Sequence, residues 1–100
     1  VLTFEDLSLN RSTYELSCKG NHIKLSNKDF QIMEMLMVTP GQIISTEQFM
    51  DKIWGYDSDA ELNVVWVYIS NLRKKLTGLQ SQVSIKATRN LGYSVEVKNA

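Results

Sequence analysis

The segment 61–76 constrains this chain more than any other, because its apolar residues recur at the spacing of one face of an α-helix. With about 100° of rotation per residue, five of them fall on one narrow stripe: Leu62, Val65, Ile69, Leu72 and Leu76. Such a stripe has to face a hydrophobic core. The segment therefore predicts a long amphipathic helix that begins near residue 60 or 61 and ends near residue 76.

The opposite face of this helix carries amides and valines where a solvated helix would carry mostly charge. Its members are Asn63, Val64, Val67, Asn71, Lys74 and Lys75. Asparagine can pair with adenine through two hydrogen bonds, and valine can touch the methyl group of thymine. The face therefore favours insertion into the major groove of DNA. The alternative is that the two valines pack on the rest of the fold, with Val64 the better candidate for packing.

The stretch 83–97 alternates with period two on both sides of the turn 88–92, which predicts a β-hairpin. Arg89 lies at its predicted tip, and Lys86 and Thr88 are among the positions expected to be exposed. A cationic side chain on a projecting hairpin can reach a minor groove, where negative potential is focused. The alternative is a surface arginine without a partner.

The charges of the chain are divided unequally between its two parts. Residues 61–100 hold six Lys or Arg and two Asp or Glu, whereas residues 1–60 hold five and nine. The formal net charge of zero therefore hides a net +4 and a net −4. A cationic helix beside a cationic hairpin is suited to placing one element in a DNA groove and the other against the backbone. The alternative is a solvated basic face.

Two shorter helices are predicted before the long one. The first follows Ser26, which forms a weak capping box with Asp29, and it ends before Pro40. The second follows Ser45, which forms a better capping box with Gln48. Residues 1–24 read as short strands separated by turns, which predicts an antiparallel meander.

One predicted strand of this meander is the alternating run Tyr14, Leu16 and Cys18. Cys18 is therefore expected to be a small buried apolar residue and not a reactive thiol. His22 follows a turn and is expected at the surface. One histidine and one cysteine are too few for a zinc site built on those ligands, and no phosphate-binding loop motif is present. The sequence predicts no enzyme, no metal and no cofactor.

A chain of 100 residues is expected to form one domain. Its predicted parts are an N-terminal sheet over 1–24, a three-helix core over 26–76 and a hairpin over 83–97. No apolar run approaches the length of a membrane helix, and the start of the chain lacks the pattern of a signal peptide. A cytoplasmic location without a membrane partner is therefore expected.

Four motifs, in this order, resemble the C-terminal DNA-binding effector domain of bacterial two-component response regulators of the OmpR/PhoB type. They are LSNKDF at 25–30, DKIWG at 51–55, VWVYISNLRKKL at 65–76 and TRNLGY at 88–93. The resemblance covers essentially the whole chain. It implies an α+β fold, the winged helix-turn-helix, with an N-terminal four-stranded antiparallel sheet, three helices and a C-terminal β-hairpin wing. It also implies sequence-specific binding of double-stranded promoter DNA.

The resemblance assigns roles to individual residues. Asn63, Val67 and Asn71 would face bases in the major groove, and Arg89 would reach the minor groove. The residues placed nearer the DNA backbone are Val64, Tyr68, Ser70, Arg73, Thr88, Tyr93 and Trp54, the last through its indole N–H. Lys74, on the outward face, completes the predicted DNA-binding set.

The resemblance also implies partners. The loop that contacts RNA polymerase in this family corresponds to Gly55, Tyr56, Asp57, Ser58 and Asp59. Two copies would bind direct repeats in promoter DNA, under the control of an N-terminal receiver domain that is not part of this sequence. The alternative function is a winged-helix module that docks a protein, without specific DNA binding.

Several positions depart from the family pattern. Many members carry arginine or threonine at the position of Asn63, arginine at Asn71 and an acidic residue at Trp66. The helix therefore favours A·T-rich contacts over guanine readout. Trp66 stands at the edge of the core stripe, so partial burial and a place at the DNA or loop surface both stay open. Asn90 replaces the usual glycine of the wing turn, and asparagine tolerates the positive φ expected there.

Overall fold

The computed structural model of the protein describes residues 1–55 and 63–98. Its elements, in chain order, are β1 (Leu2–Phe4), β2 (Leu7–Asn10), β3 (Glu15–Cys18), β4 (Asn21–Lys24), α1 (Asn27–Val38), α2 (Thr46–Phe49), a π-helical turn (Met50–Trp54), α3 (Asn63–Gly78), β5 (Val83–Thr88) and β6 (Gly92–Val97).

The first four strands form an antiparallel sheet in the order β1-β2-β3-β4. Its cross-strand pairs include Leu9↔Leu16 and Ser8↔Ser17. The leucines are buried and the serines are partly exposed, because successive side chains of a strand point to opposite faces. One face of the sheet thus closes the hydrophobic core, and the other is polar.

Tyr14 lies outside β3, so the predicted alternation with Leu16 and Cys18 was wrong at its first residue. Its φ is 61°, in the left-handed region. Its ring instead stacks on Phe30 of α1, with centroids 4.2 Å apart and an interplanar angle of 3°. A turn closed by the hydrogen bond from the Tyr14 amide to the Asn10 carbonyl, at 2.9 Å, comes before β3 and puts Tyr14 outside the strand. Cys18 is a buried free cysteine, which confirms the predicted burial of that residue.

α1 begins after Ser26, whose hydroxyl oxygen accepts a hydrogen bond from the Asp29 amide at 3.2 Å. Only this half of the predicted capping box forms, because the Asp29 carboxylate turns to α3 and accepts from Lys75 Nζ at 2.6 Å. The helix ends at Val38, two residues before Pro40, as predicted. Its inward side carries Phe30, Ile32, Met33, Leu36 and Met37, all buried.

α2 begins with the complete capping box that the sequence predicted. The Ser45 hydroxyl accepts from the Gln48 amide at 3.1 Å, and the Gln48 side-chain oxygen accepts from the Ser45 amide at 2.8 Å. The helix then widens into the π-helical turn, which closes when the Gly55 amide donates to the Met50 carbonyl at 2.8 Å. Gly55 has a φ of 78°, a conformation that glycine adopts without strain.

α3 buries the stripe that the sequence identified. Val65, Ile69, Leu72 and Leu76 are each at most 1% exposed. The predicted start near residue 60 and the side chain of Leu62 lie outside the described residues. The helix runs two residues past its predicted end, to Gly78, and the Leu79 amide still donates to the Lys75 carbonyl at 3.0 Å.

The hairpin β5–β6 pairs Val83 with Val97 at its base and Thr88 with Gly92 at its tip, so its turn is two residues shorter than predicted. Ile44, just before α2, joins β6 as an isolated bridge: the Ile44 amide donates to Tyr93 O at 2.8 Å, and the Tyr93 amide donates to Ile44 O at 2.9 Å. Asn90 has a φ of 66°, which confirms the expected positive φ.

Asp6 joins the N-terminal sheet to the connection between α3 and β5. Its carboxylate accepts from Ser81 Oγ at 2.7 Å and from the Gln82 amide at 2.8 Å, and we call this group of three residues the Asp6 latch. Burial alone would raise the pKa of Asp6. Hydrogen bonds from Gln82, Ser81 and Cys18, together with the charge of Lys19, outweigh burial and leave that pKa below its usual value.

Together these elements form an α+β winged helix-turn-helix with a four-stranded N-terminal sheet, three helices and a C-terminal hairpin, as predicted. Among the described residues, no helix combines the length and the apolar character that crossing a membrane requires. The same residues contain no group of three or more His, Cys, Asp or Glu side chains placed to hold a metal ion.

Candidate nucleic-acid interface

The outward face of α3 is built from residues four and seven positions apart. Val67, Asn71 and Lys74 are exposed, and the exposed fraction of Val67 reaches 48%. These side chains share one side of the helix because 100° per residue brings positions 67, 71 and 74 within about 60° of one another. The face therefore presents an apolar side chain, an amide and an ammonium group in one row.

Val64 does not belong to this exposed row. It is half-buried and packs against the hydrophobic core, which matches the alternative that the sequence left open for it. The side chain of Asn63 lies outside the described residues, so its predicted contact with bases stays a prediction.

Trp66 is 57% exposed, which decides between the two alternatives for this residue in favour of the surface. It lies on the same flank of α3 as Ser70 and Arg73, four and seven residues further on. This flank faces the wing, because Arg73 Nε donates a hydrogen bond to the carbonyl oxygen of Ile85 in β5 at 3.1 Å. The bond fixes the wing against α3.

The opposite flank of α3 carries an aromatic pair. Trp54, at the end of the π-helical turn, meets Tyr68 edge to face, with ring centroids 5.4 Å apart and an interplanar angle of 65°. Both side chains are half-buried. Lys28 of α1 extends over the same indole, with Nζ 5.2 Å from the ring centroid. Residues of three elements are thus gathered beside the outward face of α3.

Lys75 is not part of the outward face, contrary to the prediction. Its Nζ lies 2.6 Å from Asp29 Oδ2, and the side chains of Lys75 and Asp29 are 28% and 6% exposed. A carboxylate this buried needs a cation close by, since an unpaired buried charge is costly. Lys75 therefore holds α3 against α1, a long-range contact that periodicity along one helix cannot reveal.

The tip of the wing presents Arg89, Asn90 and Leu91, all of them exposed. Thr88 and Tyr93, behind the tip, are half-buried, and the Tyr93 ring lies 6.4 Å from the ring of Phe49. The tip with its arginine is thus exposed, while Thr88 and Tyr93 behind it are partly covered by the fold. Of the predicted loop at 55–59, only Gly55 falls within the described residues, and it is exposed.

The structure thus brings together most of the predicted set on one side of the molecule: the outward face of α3, with the wing on one flank and the Trp54–Tyr68 pair on the other. The sequence reasoning missed Lys28. A signal existed, because a lysine in the first turn of a helix opposes the positive end of the helix dipole and so costs stability.

Comparisons with known proteins identify the family and support the fold. Residues 20–95 match the family described as "Transcriptional regulatory protein, C terminal". The chain is 41% identical over 95 residues to the transcriptional regulatory protein DltR of Streptococcus agalactiae serotype III (strain NEM316), and 40% identical over 95 residues to the heme response regulator HssR of Staphylococcus aureus (strain Newman). Each alignment covers 95% of this chain and 42% of the relative, so the chain spans less than half the length of these curated relatives.

Solved structures are similar over nearly the whole chain. The C-terminal domain of the nisin resistance regulator NsrR shares 30% identity at a TM-score of 0.79, covering 95% of both chains. The DNA-binding domain of Klebsiella pneumoniae RstA, solved in complex with the RstA box, shares 28% identity at a TM-score of 0.74, covering 92% of both.

Proposed function

Because the chain belongs to the family of C-terminal domains of transcriptional regulatory proteins, we propose that it binds double-stranded DNA sequence-specifically as the output domain of a two-component response regulator. The observation that carries the proposal is the outward face of α3. It presents Val67 and Asn71 to the surroundings on a helix whose opposite face, with Val65, Ile69 and Leu72, is buried in the core.

In the proposed complex, α3 enters the major groove. Asn71 hydrogen-bonds an adenine, Val67 contacts a thymine methyl group, and Asn63 faces a further base. The residues that contact the backbone are Trp54, Tyr68, Ser70, Arg73, Lys74, Thr88 and Tyr93, with Val64 lining the groove near a phosphate. Arg73 can serve the wing and a phosphate together, because its bond to Ile85 uses Nε only and a guanidinium has five donor hydrogens.

The wing supplies the second groove contact. Arg89 at the exposed tip reaches the minor groove, where a narrow groove concentrates negative potential. The Arg73–Ile85 bond and the Ile44–Tyr93 bridge hold the wing before DNA arrives, so binding pays little for ordering it.

The partners of the whole protein are part of the same proposal. Two copies bind direct repeats spaced by about one helical turn, roughly 10 base pairs. The segment 55–59 contacts RNA polymerase, and a receiver domain elsewhere in the longer protein controls the output. The protein acts in the cytoplasm, catalyses no reaction and uses no cofactor.

Selection of bound sequences from a random duplex library tests the proposal. We expect enrichment of a direct repeat containing A·T pairs. Binding to the selected site should weaken steeply with salt, with a log-log slope of about −0.9 for each phosphate that a Lys or Arg neutralises. Failure to enrich any sequence, together with binding that ignores salt, would favour the protein-docking alternative.

Substitution of Arg89 tests the proposed role of the wing. Arg89→Ala should weaken binding to the selected site and flatten its salt slope. The matched control is Arg11→Ala, since Arg11 lies between β2 and β3 and pairs with Glu34 of α1 at 3.2 Å. Equal effects of the two exchanges would refute the proposed role of the wing.

A further inference from the structure

Lys28 occupies a position that the fold alone does not explain. It lies in the first turn of α1, where Ser26 caps the helix and Asp29 pairs with Lys75. A cation there opposes the helix dipole. Among the described residues, no carboxylate forms an ion pair with it within 4.0 Å. Its ammonium group instead lies 5.2 Å from the centroid of the Trp54 ring.

The contact with the Trp54 indole places the Lys28 ammonium beside the flank of α3. The same ring touches Tyr68 edge to face at 5.4 Å, so Lys28, Trp54 and Tyr68 form one row leading to the outward face of α3. We call this row the aromatic flank. Half-burial of all three side chains restricts their rotamers, so the ammonium is held in place before any ligand binds.

We infer that Lys28 contacts a DNA phosphate beside the one proposed for Trp54, so that α1 takes part in binding as a third element besides α3 and the wing. This inference rests on the proposed function. A lysine at this place neutralises backbone charge without reading a base, and it therefore adds affinity for every sequence.

The charge of Lys28 can be tested separately from its packing. Lys28→Met keeps an unbranched apolar stem against Trp54 and removes the ammonium. We expect weaker binding to the selected site and to a random duplex by the same factor. The slope of log affinity against log salt should become shallower by about 0.9, the amount for one phosphate contact. Lys28→Arg should restore the wild-type slope.

Two further variants serve as controls. Lys24→Met removes the same charge from the exposed end of β4, whose neighbour across the sheet is Glu15, and should leave the slope unchanged. Trp54→Phe removes an uncharged donor, so it should lower affinity without altering the slope. Thermal unfolding of each variant verifies that the fold is retained.

Three outcomes overturn the inference. If Lys28→Met matches Lys24→Met while the wild-type protein binds DNA with a steep salt slope, Lys28 makes no phosphate contact and the proposed function stands. If Lys28→Met lowers affinity with an unchanged slope, Lys28 only positions Trp54. If the wild-type protein shows no salt-dependent binding to DNA, both the inference and the proposed function fall.

Discussion

Asn71 is the residue on which we expect sequence readout to depend most. It is exposed on the outward face of α3, between the exposed side chains of Val67 and Lys74. Unlike a lysine, an asparagine releases no counterions from DNA, so its contribution is confined to sites that offer it a matching base edge. Lys74 beside it can hold the protein on any sequence, but an ammonium group on a phosphate cannot select one.

Asn71→Ala should therefore lower affinity for the selected site by about 1–3 kcal/mol and leave non-specific binding nearly intact. Titration of both duplexes at one salt concentration measures the difference. An equal loss on both duplexes would make Asn71 a backbone contact and would require a different orientation of α3.

Val67 allows a complementary exchange on the DNA. If its exposed side chain touches a thymine methyl, replacing that thymine by uracil should reproduce the loss caused by Val67→Ala, and the two changes together should cost no more than one. A thermodynamic cycle over the four combinations measures this coupling. Additive losses would mean that Val67 and the methyl group are not in contact.

At the scale of elements, the decisive arrangement is the attachment of the wing at two points. Arg73 bonds the middle of β5, and Ile44 bridges β6 at Tyr93. The second attachment needs a glycine beside it. A Cβ at Gly92 would lie 2.1 Å from Ile44 O, and the φ of Gly92 is 146°, which side chains rarely adopt.

Gly92→Ala should consequently break the bridge. We expect it to destabilise the domain by about 1–3 kcal/mol, because the alanine must either keep a strained backbone conformation or push Ile44 away. Denaturant unfolding measures the loss. Gly78→Ala is the control, because a Cβ at Gly78 meets nothing within 4 Å and alanine is the better helix former. A similar loss of unfolding free energy in both variants would show that the effect of Gly92→Ala does not come from the bridge.

Local patterns predicted the elements well where the physical cause was itself local. The Ser45–Gln48 capping box, the buried stripe of α3 and the turn at Asn90 each depend on residues within a few positions. Tyr14 is placed outside the strand by the hydrogen-bonded turn that begins at Asn10, and its ring stacks on Phe30. The error at Lys75 has a long-range cause, because the carboxylate of Asp29 removes this lysine from the outward face. Lys28 was missed for the same reason, because its partner Trp54 comes 26 residues later.

At the scale of the whole molecule, the Asp6 latch connects parts of the chain that no other hydrogen bond described above connects. Asp6 follows β1, and Ser81 and Gln82 precede β5. Ser81 Oγ also accepts a hydrogen bond from the Val83 amide at 2.9 Å. Through Ser81, the Asp6 carboxylate therefore helps to fix Val83, the residue at which the wing begins. The N-terminal sheet thus sets the position of the wing.

The latch should make stability depend on acid. Burial would raise the pKa of Asp6, but the hydrogen bonds that its carboxylate accepts and the charge of Lys19 outweigh burial and keep the folded-state pKa below the usual 3.8. Their contribution to stability is therefore complete above that pH and is lost as the pH falls through the lower folded value. Asp6→Asn should cost about 1–3 kcal/mol at neutral pH. The difference from the wild-type protein should shrink below pH 3.8 when denaturant unfolding is repeated there. A difference that stays constant with pH would exclude the carboxylate charge as its source.

The latch also joins residues 75 positions apart, which has a consequence for the time course of folding. A contact between residues this far apart in sequence requires closure of a long loop, which costs entropy. Such contacts therefore tend to form after helices and hairpins are in place. Asp6→Asn should accordingly speed unfolding and leave the refolding rate nearly unchanged in stopped-flow measurements. A variant that refolds slowly instead would place the contact in the transition state. The hydrogen bond between Asp6 and Ser81 would then slow unfolding of the formed domain, while local structure would set the folding rate.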